Sequence, residues 1–193
     1  QLFCRRRAED SGRFMDFTEK TIDSHYEYQG RIIRVRRDTV QLPSGRRSQR
    51  EVVEHCKGVC LAALTDENEL LFVRQYRYPY RRVLLELPAG KLEPEEDPLA
   101  GGRRELGEET GASAAAYRSL GLMYPSVGYT DEVLYLYLAT GLTFGRMHPD
   151  DDEFLTVERI PLHRAIDMVM AGEIEDAKTQ IAVLKAARVA GAR

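Results

Sequence analysis

Residues 84–112 read LLELPAGKLEPEEDPLAGGRRELGEETGA, and the fold of the whole chain is read outward from them. The stretch opens as an apolar strand, bends at Pro88 and Gly90, and continues as a charged helix that Gly111 terminates. On such a helix Glu105, Glu108 and Glu109 stand three and four residues apart, so their carboxylates gather along one side. Like charges at that spacing repel by about 0.2–0.5 kcal/mol per pair, and the last turns of a helix favour cations. Something positive is expected there. Arg103 and Arg104 offset part of the charge, yet Glu93, Glu95, Glu96 and Asp97 crowd the same segment and leave carboxylates in excess. Hard oxygen ligands around a water-accessible position are what Mg²⁺ or Mn²⁺ selects, with a pyrophosphate able to supply the remaining oxygens.

Upstream, residues 21–40 alternate β-branched and aromatic side chains with charges and then turn at Pro43, Ser44 and Gly45, which predicts an exposed strand pair. Residues 50–56 and 58–65 give two further strands, the second a continuous apolar run of the kind buried on both faces. Asp66, Glu67 and Asn68 turn the chain back into LLFVRQYRY as a hairpin. Downstream, DEVLYLYLAT alternates as a strand with Tyr135 and Tyr137 on one face, either core or dimer surface. Residues 144–153 form an acidic loop, VERIPL a short strand, and 162–171 and 176–190 carry apolar residues at helical spacing. Strands interleaved with helices predict an α/β fold, one mixed sheet covered by helices on both faces.

Composition narrows the class. With 43% apolar and 31% charged residues the chain has the balance of a folded soluble domain rather than of a disordered one. A net charge of -3 gives no general attraction to nucleic acid or anionic membrane, so neither is expected as a partner. Cys4, Cys56 and Cys60 lack C-x-x-C spacing and suggest neither a disulfide framework nor zinc; Cys56 and Cys60 are expected as small core residues. No stretch reaches the ~18 apolar residues of a membrane span, and a reduced cytoplasm fits best. His55, His148 and His163 have no ligand spacing and read as ordinary polar positions. Residues 1–14 are unpatterned and are expected to be an extension, disordered or artificial in origin; 15–57 hold the N-terminal strands and 58–193 the main domain.

The bland reading of residues 90–112 is a solvated charged helix. Spacing argues against it. Gly90, Glu96, Arg104, Glu105, Leu106, Glu108, Glu109, Gly111 and Ala112 match G-x5-E-x7-R-E-U-x-E-E-x-G-U, where U is apolar. Its seven identity-fixed positions make a chance match on the order of 10⁻⁹ per starting position, given average residue usage. This is the Nudix box, and the chain resembles the Nudix hydrolase superfamily over about residues 18–190, its flanking segments resembling the ADP-ribose pyrophosphatase branch. The resemblance implies the Nudix fold, an α/β/α sandwich in which the box forms loop, helix and loop. It also implies a reaction in which water attacks one phosphorus of a diphosphate. It assigns the metal to Glu105 and Glu109, with Glu108 in support, the Ala89 carbonyl as a further ligand, and Arg104 inside the catalytic core. Mg²⁺ is the implied cofactor, with Mn²⁺ as a substitute.

The base comes from elsewhere in that branch, from a glutamate on an acidic loop; DDDEFLTV resembles it and nominates Glu153 as base and as a metal ligand. VRQYRYP nominates Arg77 against the diphosphate, a role the fork of arginine suits, and leaves Arg74 structural. QGRIIRV and REVVEH nominate Arg31, Ile32 and Glu51 for the adenosine end, often across a homodimer with exchanged N-terminal strands. YPSVGYTDE nominates Ser126 and Glu132 near the ribose or metals, although Val127 stands where the branch usually has proline. Gly101, Gly102 and Gly107 depart from the helix formers common there, at about 2–3 kcal/mol for three interior glycines. ADP-ribose leads as substrate, with ADP-glucose, GDP-mannose, NADH or FAD as alternatives and a nucleotide sensor without turnover as the rival class.

Overall fold

The computed structural model describes residues 16–148 and 154–191. Strands β1 (Lys20–Gln29), β2 (Ile33–Gln41) and β3 (Arg47–His55) form an antiparallel sheet in the order β1-β2-β3. The turn at Pro43–Gly45 closes through Gly45 N donating to Leu42 O at 2.8 Å, and every residue of β1 is exposed.

A second sheet of seven strands holds the core. It comprises β4 (Gly58–Leu64), β5 (Glu69–Arg77), β6 (Arg82–Glu86), β7 (Ala89–Lys91), β8 (Ala112–Met123), β9 (Leu134–Phe144) and β10 (Leu155–Pro161). The path runs β10-β5-β4-β9-β8, with β6 beside β5 and β7 beside β4; β4 and β9 are parallel and the other pairs antiparallel. One mixed sheet was expected; the first three strands instead form a sheet of their own, with β3 bridged at Val53 to Thr130 of the loop that precedes β9.

All of β4 is buried, and its alternation explains why. Cys60, Ala62 and Leu64 face a core with Leu70, Phe72, Leu136 and residues of helices α2 (Leu162–Met170) and α3 (Ala177–Ala190), such as Ala165 and Val183. Val59, Leu61 and Ala63 face the opposite core with Leu106 of helix α1 (Pro98–Thr110), so helices cover both faces, as expected. Tyr135 and Tyr137, half-buried, pack against this second cluster. Cys60 is fully buried and burial pushes its thiol up to about 12, whereas Cys56 is exposed, contrary to its expected place in the core. The β4–β5 turn takes Asn68 to φ 60°, a left-handed conformation that asparagine tolerates. Among the described residues no helix is long and apolar enough to cross a membrane.

Candidate active site

Helix α1 begins where Asp97 accepts hydrogen bonds from Leu99 N and Ala100 N, both at 3.0 Å, with Pro98 following. It ends at Gly111, whose φ of 67° lets its N–H reach Gly107 O. Two of the three interior glycines have a packing reason. A Cβ on Gly102 would stand 3.2 Å from Val59 Cγ2, and one on Gly101 only 2.4 Å from Leu92 Cδ2 and 2.9 Å from Glu96 Oε2. Small residues there let the helix lie close on β4 and on the loop that precedes it. Gly107 has no such neighbour: the nearest atom, Ala112 O, is 3.9 Å away.

The same closeness brings Glu105 and Glu109 against the turn at Ala89 and Gly90. The Glu105 carboxylate lies over Gly90, so near that a Cβ on that residue would fall 2.0 Å from Glu105 Oε1. Glu109 Oε2 accepts the N–H of Ala89 at 3.0 Å. Glu105 and Glu109 are 8% and 2% exposed, so two carboxylates are held almost out of water against one turn of backbone. Burying such groups is costly unless hydrogen bonds or cations compensate them. An all-oxygen donor set of this kind suits a hard divalent cation, and the glycine leaves the space that the carboxylate uses.

Arg104 compensates part of the charge. Its Nε and Nη2 reach both oxygens of Glu96 at 3.0 and 3.1 Å, Nη1 reaches Glu105 Oε1 and Glu108 Oε2 at 2.9 Å each, and Nη2 also reaches Lys91 O at 3.0 Å. Its hydrogen bond holds the Glu96 carboxyl below the usual carboxylate range, and the three carboxylates hold the guanidinium protonated. Arg103 points elsewhere, over the Tyr117 ring at 5.1 Å from its centroid. Among the described residues no three acidic, histidine or cysteine side chains already converge in metal-ligand geometry. Glu105 and Glu108 lean toward Arg104, and Glu109 toward Ala89. Beside the helix an open groove of about 560 Å³ is lined by Arg104, Glu108, Arg146 and His148, among others.

The nominated Arg77 meets two residues that sequence reasoning missed, Glu86 and Lys178. Glu86, 2% exposed, takes Arg77 Nε at 2.6 Å and Nη2 at 2.8 Å, and also Lys178 Nζ from the first turn of α3. Burial pushes the Glu86 carboxyl up, but its bonds to Arg77 and Lys178 outweigh that and hold it at about 2. Burial likewise opposes the charge on Lys178, which Asp176 and Glu86 more than restore. The signal available was an acid inside the apolar run VLLELP, a position that burial makes expensive without partners.

The other nominated residues are scattered. Arg31 and Ile32 are exposed on the β1–β2 turn, and Glu51 is exposed on β3 opposite Arg37. Arg77 has Nε and Nη2 taken up by Glu86, and Arg74 pairs with Glu158 across β5 and β10. Ser126 and Glu132 lie on the loop before β9, which docks on β3: Val53 N donates to Tyr129 O at 2.7 Å and His55 N to Asp131 Oδ1 at 2.9 Å. His55 Nδ1 stands 3.6 Å from Glu132 Oε1. Glu153, with Asp150, Asp151 and Asp152, lies outside the described residues, as do Cys4 and residues 1–14.

Comparison with known proteins adds what geometry leaves open. A NUDIX domain family matches residues 54–181, and a family described as nucleoside diphosphate sugar hydrolase N-terminal domain matches residues 19–53. The chain is 40% identical over 169 residues to a methanol dehydrogenase activator of Bacillus methanolicus, covering 86% of this chain and 91% of that one. It is 38% identical over 167 residues to an ADP-ribose pyrophosphatase of Bacillus subtilis, covering 86% and 90%. An ADP-ribose pyrophosphatase of Mycobacterium tuberculosis is 39% identical over 158 residues, covering 80% and 76%. The solved structure of an ADP compounds hydrolase superposes with a TM-score of 0.81 over 90% of this chain and 94% of that one; at 19% identity it speaks for the fold alone. A domain match over most of the chain, carried by a helix whose acidic ridge packs on the box glycine, places this protein in the NUDIX family.

Proposed function

We propose that this Nudix enzyme hydrolyses the diphosphate of a nucleoside diphosphate sugar, with ADP-ribose as substrate, AMP and ribose 5-phosphate as products, and Mg²⁺, or Mn²⁺ in its place, as cofactor. The observation that carries the reading is the convergence of the Glu105 and Glu109 carboxylates on Ala89 and Gly90. The relatives named as ADP-ribose pyrophosphatases support the choice of substrate.

Glu105, Glu109 and the Ala89 carbonyl would hold the cation, with Glu108 in support. Once bound, the cation supplies Lewis-acid polarisation of the diphosphate oxygens. The protein's own groups do the rest. The Ala89 N–H fixes one oxygen of Glu109 and so sets where the other points. Arg104, fixed by Glu96, steadies Glu105 and Glu108. Water attacks one phosphorus, the bond from that phosphorus to the bridging oxygen breaks, and Glu153 takes the water's proton as general base. Arg77 lies against the diphosphate with what Glu86 leaves of its fork; Arg31, Ile32 and Glu51 take the adenosine end, and Ser126 and Glu132 the terminal ribose. Residues 15–57 form the contact of a homodimer. The exposed Ile22, Tyr26 and Tyr28 on β1 support that contact, since an uncovered strand with apolar side chains invites pairing.

The test is a panel of ADP-ribose, ADP-glucose, GDP-mannose and NADH incubated with the chain and Mg²⁺, with products separated by chromatography. AMP from ADP-ribose at the highest kcat/KM is expected, and Glu109→Gln should abolish it. Faster turnover of GDP-mannose would overturn the substrate, and undiminished turnover by Glu109→Gln would remove that residue from the metal site.

A further inference from the structure

Four consecutive residues lead from β6 into the box, and strands β4 and β5 and helices α1 and α3 between them hold all four. The Glu86 carboxylate is gripped by Arg77 of β5 and Lys178 of α3; Leu87 N donates to Thr179 Oγ1 at 2.9 Å; Pro88 O accepts from Leu61 N of β4 at 2.9 Å; Ala89 N donates to Glu109 of α1. The Leu87 bond is the telling one. The β5–β6 ladder ends at the pair Val73 and Glu86, and the β4–β7 ladder reaches only to Ala89, so Leu87 stands between them with a buried N–H to satisfy. A threonine 92 positions away supplies the acceptor.

That threonine is itself fixed. Thr179 has no exposed surface, and its hydroxyl donates to Asp176 Oδ2 at 2.5 Å, the same oxygen that caps α3 through Thr179 N at 3.0 Å and stands 2.9 Å from Lys178 Nζ. The start of α3 is therefore wired into the backbone between Glu86 and Ala89 by two adjacent side chains. Thr179 is directed at the backbone itself, two residues before Ala89.

We propose that Lys178 and Thr179 are positioning residues for the reaction, holding the Glu86–Ala89 segment so that the Ala89 carbonyl and the Glu109 carboxylate present themselves together. The proposal rests on the metal reading above. Groups hydrogen-bonded directly to a metal's ligands usually change its affinity or the rate by about 10–100-fold when lost; Thr179 and Lys178 act on Leu87 and Glu86, two and three residues before Ala89, so the lower end of that range applies. Thr179→Val keeps the shape and removes the acceptor, Thr179→Ser keeps the hydroxyl, and Lys178→Met keeps the stem and removes the charge.

The experiment measures Mn²⁺ binding to the protein without substrate by electron paramagnetic resonance, amide exchange at Leu87 and Ala89 without metal, and kcat and KM for ADP-ribose. Thr179→Val and Lys178→Met are expected to weaken Mn²⁺ binding by about tenfold and to lower kcat by a similar factor with KM little changed. Both amides should exchange faster in these variants, and Thr179→Ser should behave as the parent. A folded Thr179→Val with parental Mn²⁺ affinity and kcat overturns the proposal, as does Thr179→Ser impaired equally. If Thr179→Val does not fold, Thr179→Ala is read by the same criteria. A parent protein that takes up no Mn²⁺ removes the metal reading and this inference with it; a parent that binds alongside variants that bind equally removes the inference alone.

Discussion

Replacing Gly107 by alanine should stabilise the protein, and the structure says why this glycine differs from its neighbours in α1. An interior glycine costs about 0.8–1.0 kcal/mol relative to alanine, largely because the unfolded chain has more freedom to lose. Realising that gain requires room, and a Cβ on Gly107 meets nothing nearer than Ala112 O at 3.9 Å. Gly107→Ala should therefore add about 0.8–1.0 kcal/mol, or about 2–4 °C in Tm for a chain of this size. Gly102→Ala meets Val59 Cγ2 at 3.2 Å, so part of the gain is consumed in moving that side chain. Gly101→Ala runs into Leu92 Cδ2 at 2.4 Å and crowds Glu96, the anchor of Arg104, and overpacking of this kind costs about 1–3 kcal/mol. Calorimetry on the three variants should rank Tm as Gly107→Ala above Gly102→Ala above Gly101→Ala, with the first above the parent and the last below it. A Gly107→Ala protein no more stable than the parent would refute the reasoning, because neither propensity nor space would then govern this helix.

Glu86 gives the fold an acid limb. Its carboxyl titrates at about 2 in the folded protein against an ordinary value of 4.5, a depression that stabilises the folded state, so the contribution is complete above about pH 4.5 and is lost as the pH falls toward 2. The size is about 3 kcal/mol at about 1.4 kcal/mol per unit. Glu86→Gln takes the carboxylate from Arg77 and leaves Lys178 with Asp176 alone, and should cost about 3 kcal/mol at neutral pH. Urea unfolding from pH 7 downward should show that deficit shrinking on acidification; a constant deficit would contradict the assignment. Mg²⁺ should slow hydrogen exchange across residues 100–109, because a cation on Glu105 and Glu109 adds to what packing gives a glycine-rich helix, and unchanged exchange would count against it.

What the sequence revealed follows from where the interactions lie along the chain. The buried strand β4 was legible because a strand covered on both faces must be apolar throughout, and α1 because the box spacing and Gly111 are local signals. Strand β8 was not foreseen: ASAAAYRSLGLM has little β-branched or alternating character, and the ladder with β9 rather than propensity makes it a strand. A boundary near residue 57 was legible, but the closing of β1–β3 into a sheet of their own was not, since pairing is a long-range choice. At the site, the acidic ridge was read from i, i+4 spacing, and the structure added its contact with Ala89 and Gly90. The grip of Glu86 on Arg77 and Lys178 joins residues 9 and 92 positions apart, beyond the reach of any periodicity.

The most direct test of the account is anomalous scattering from Mn²⁺ in crystals of the chain grown with a non-hydrolysable ADP-ribose analogue. The account predicts a strong peak within coordination distance of Glu105, Glu109 and the Ala89 carbonyl, touching the diphosphate. Manganese bound elsewhere, with these two carboxylates still engaged only by protein groups, would contradict it.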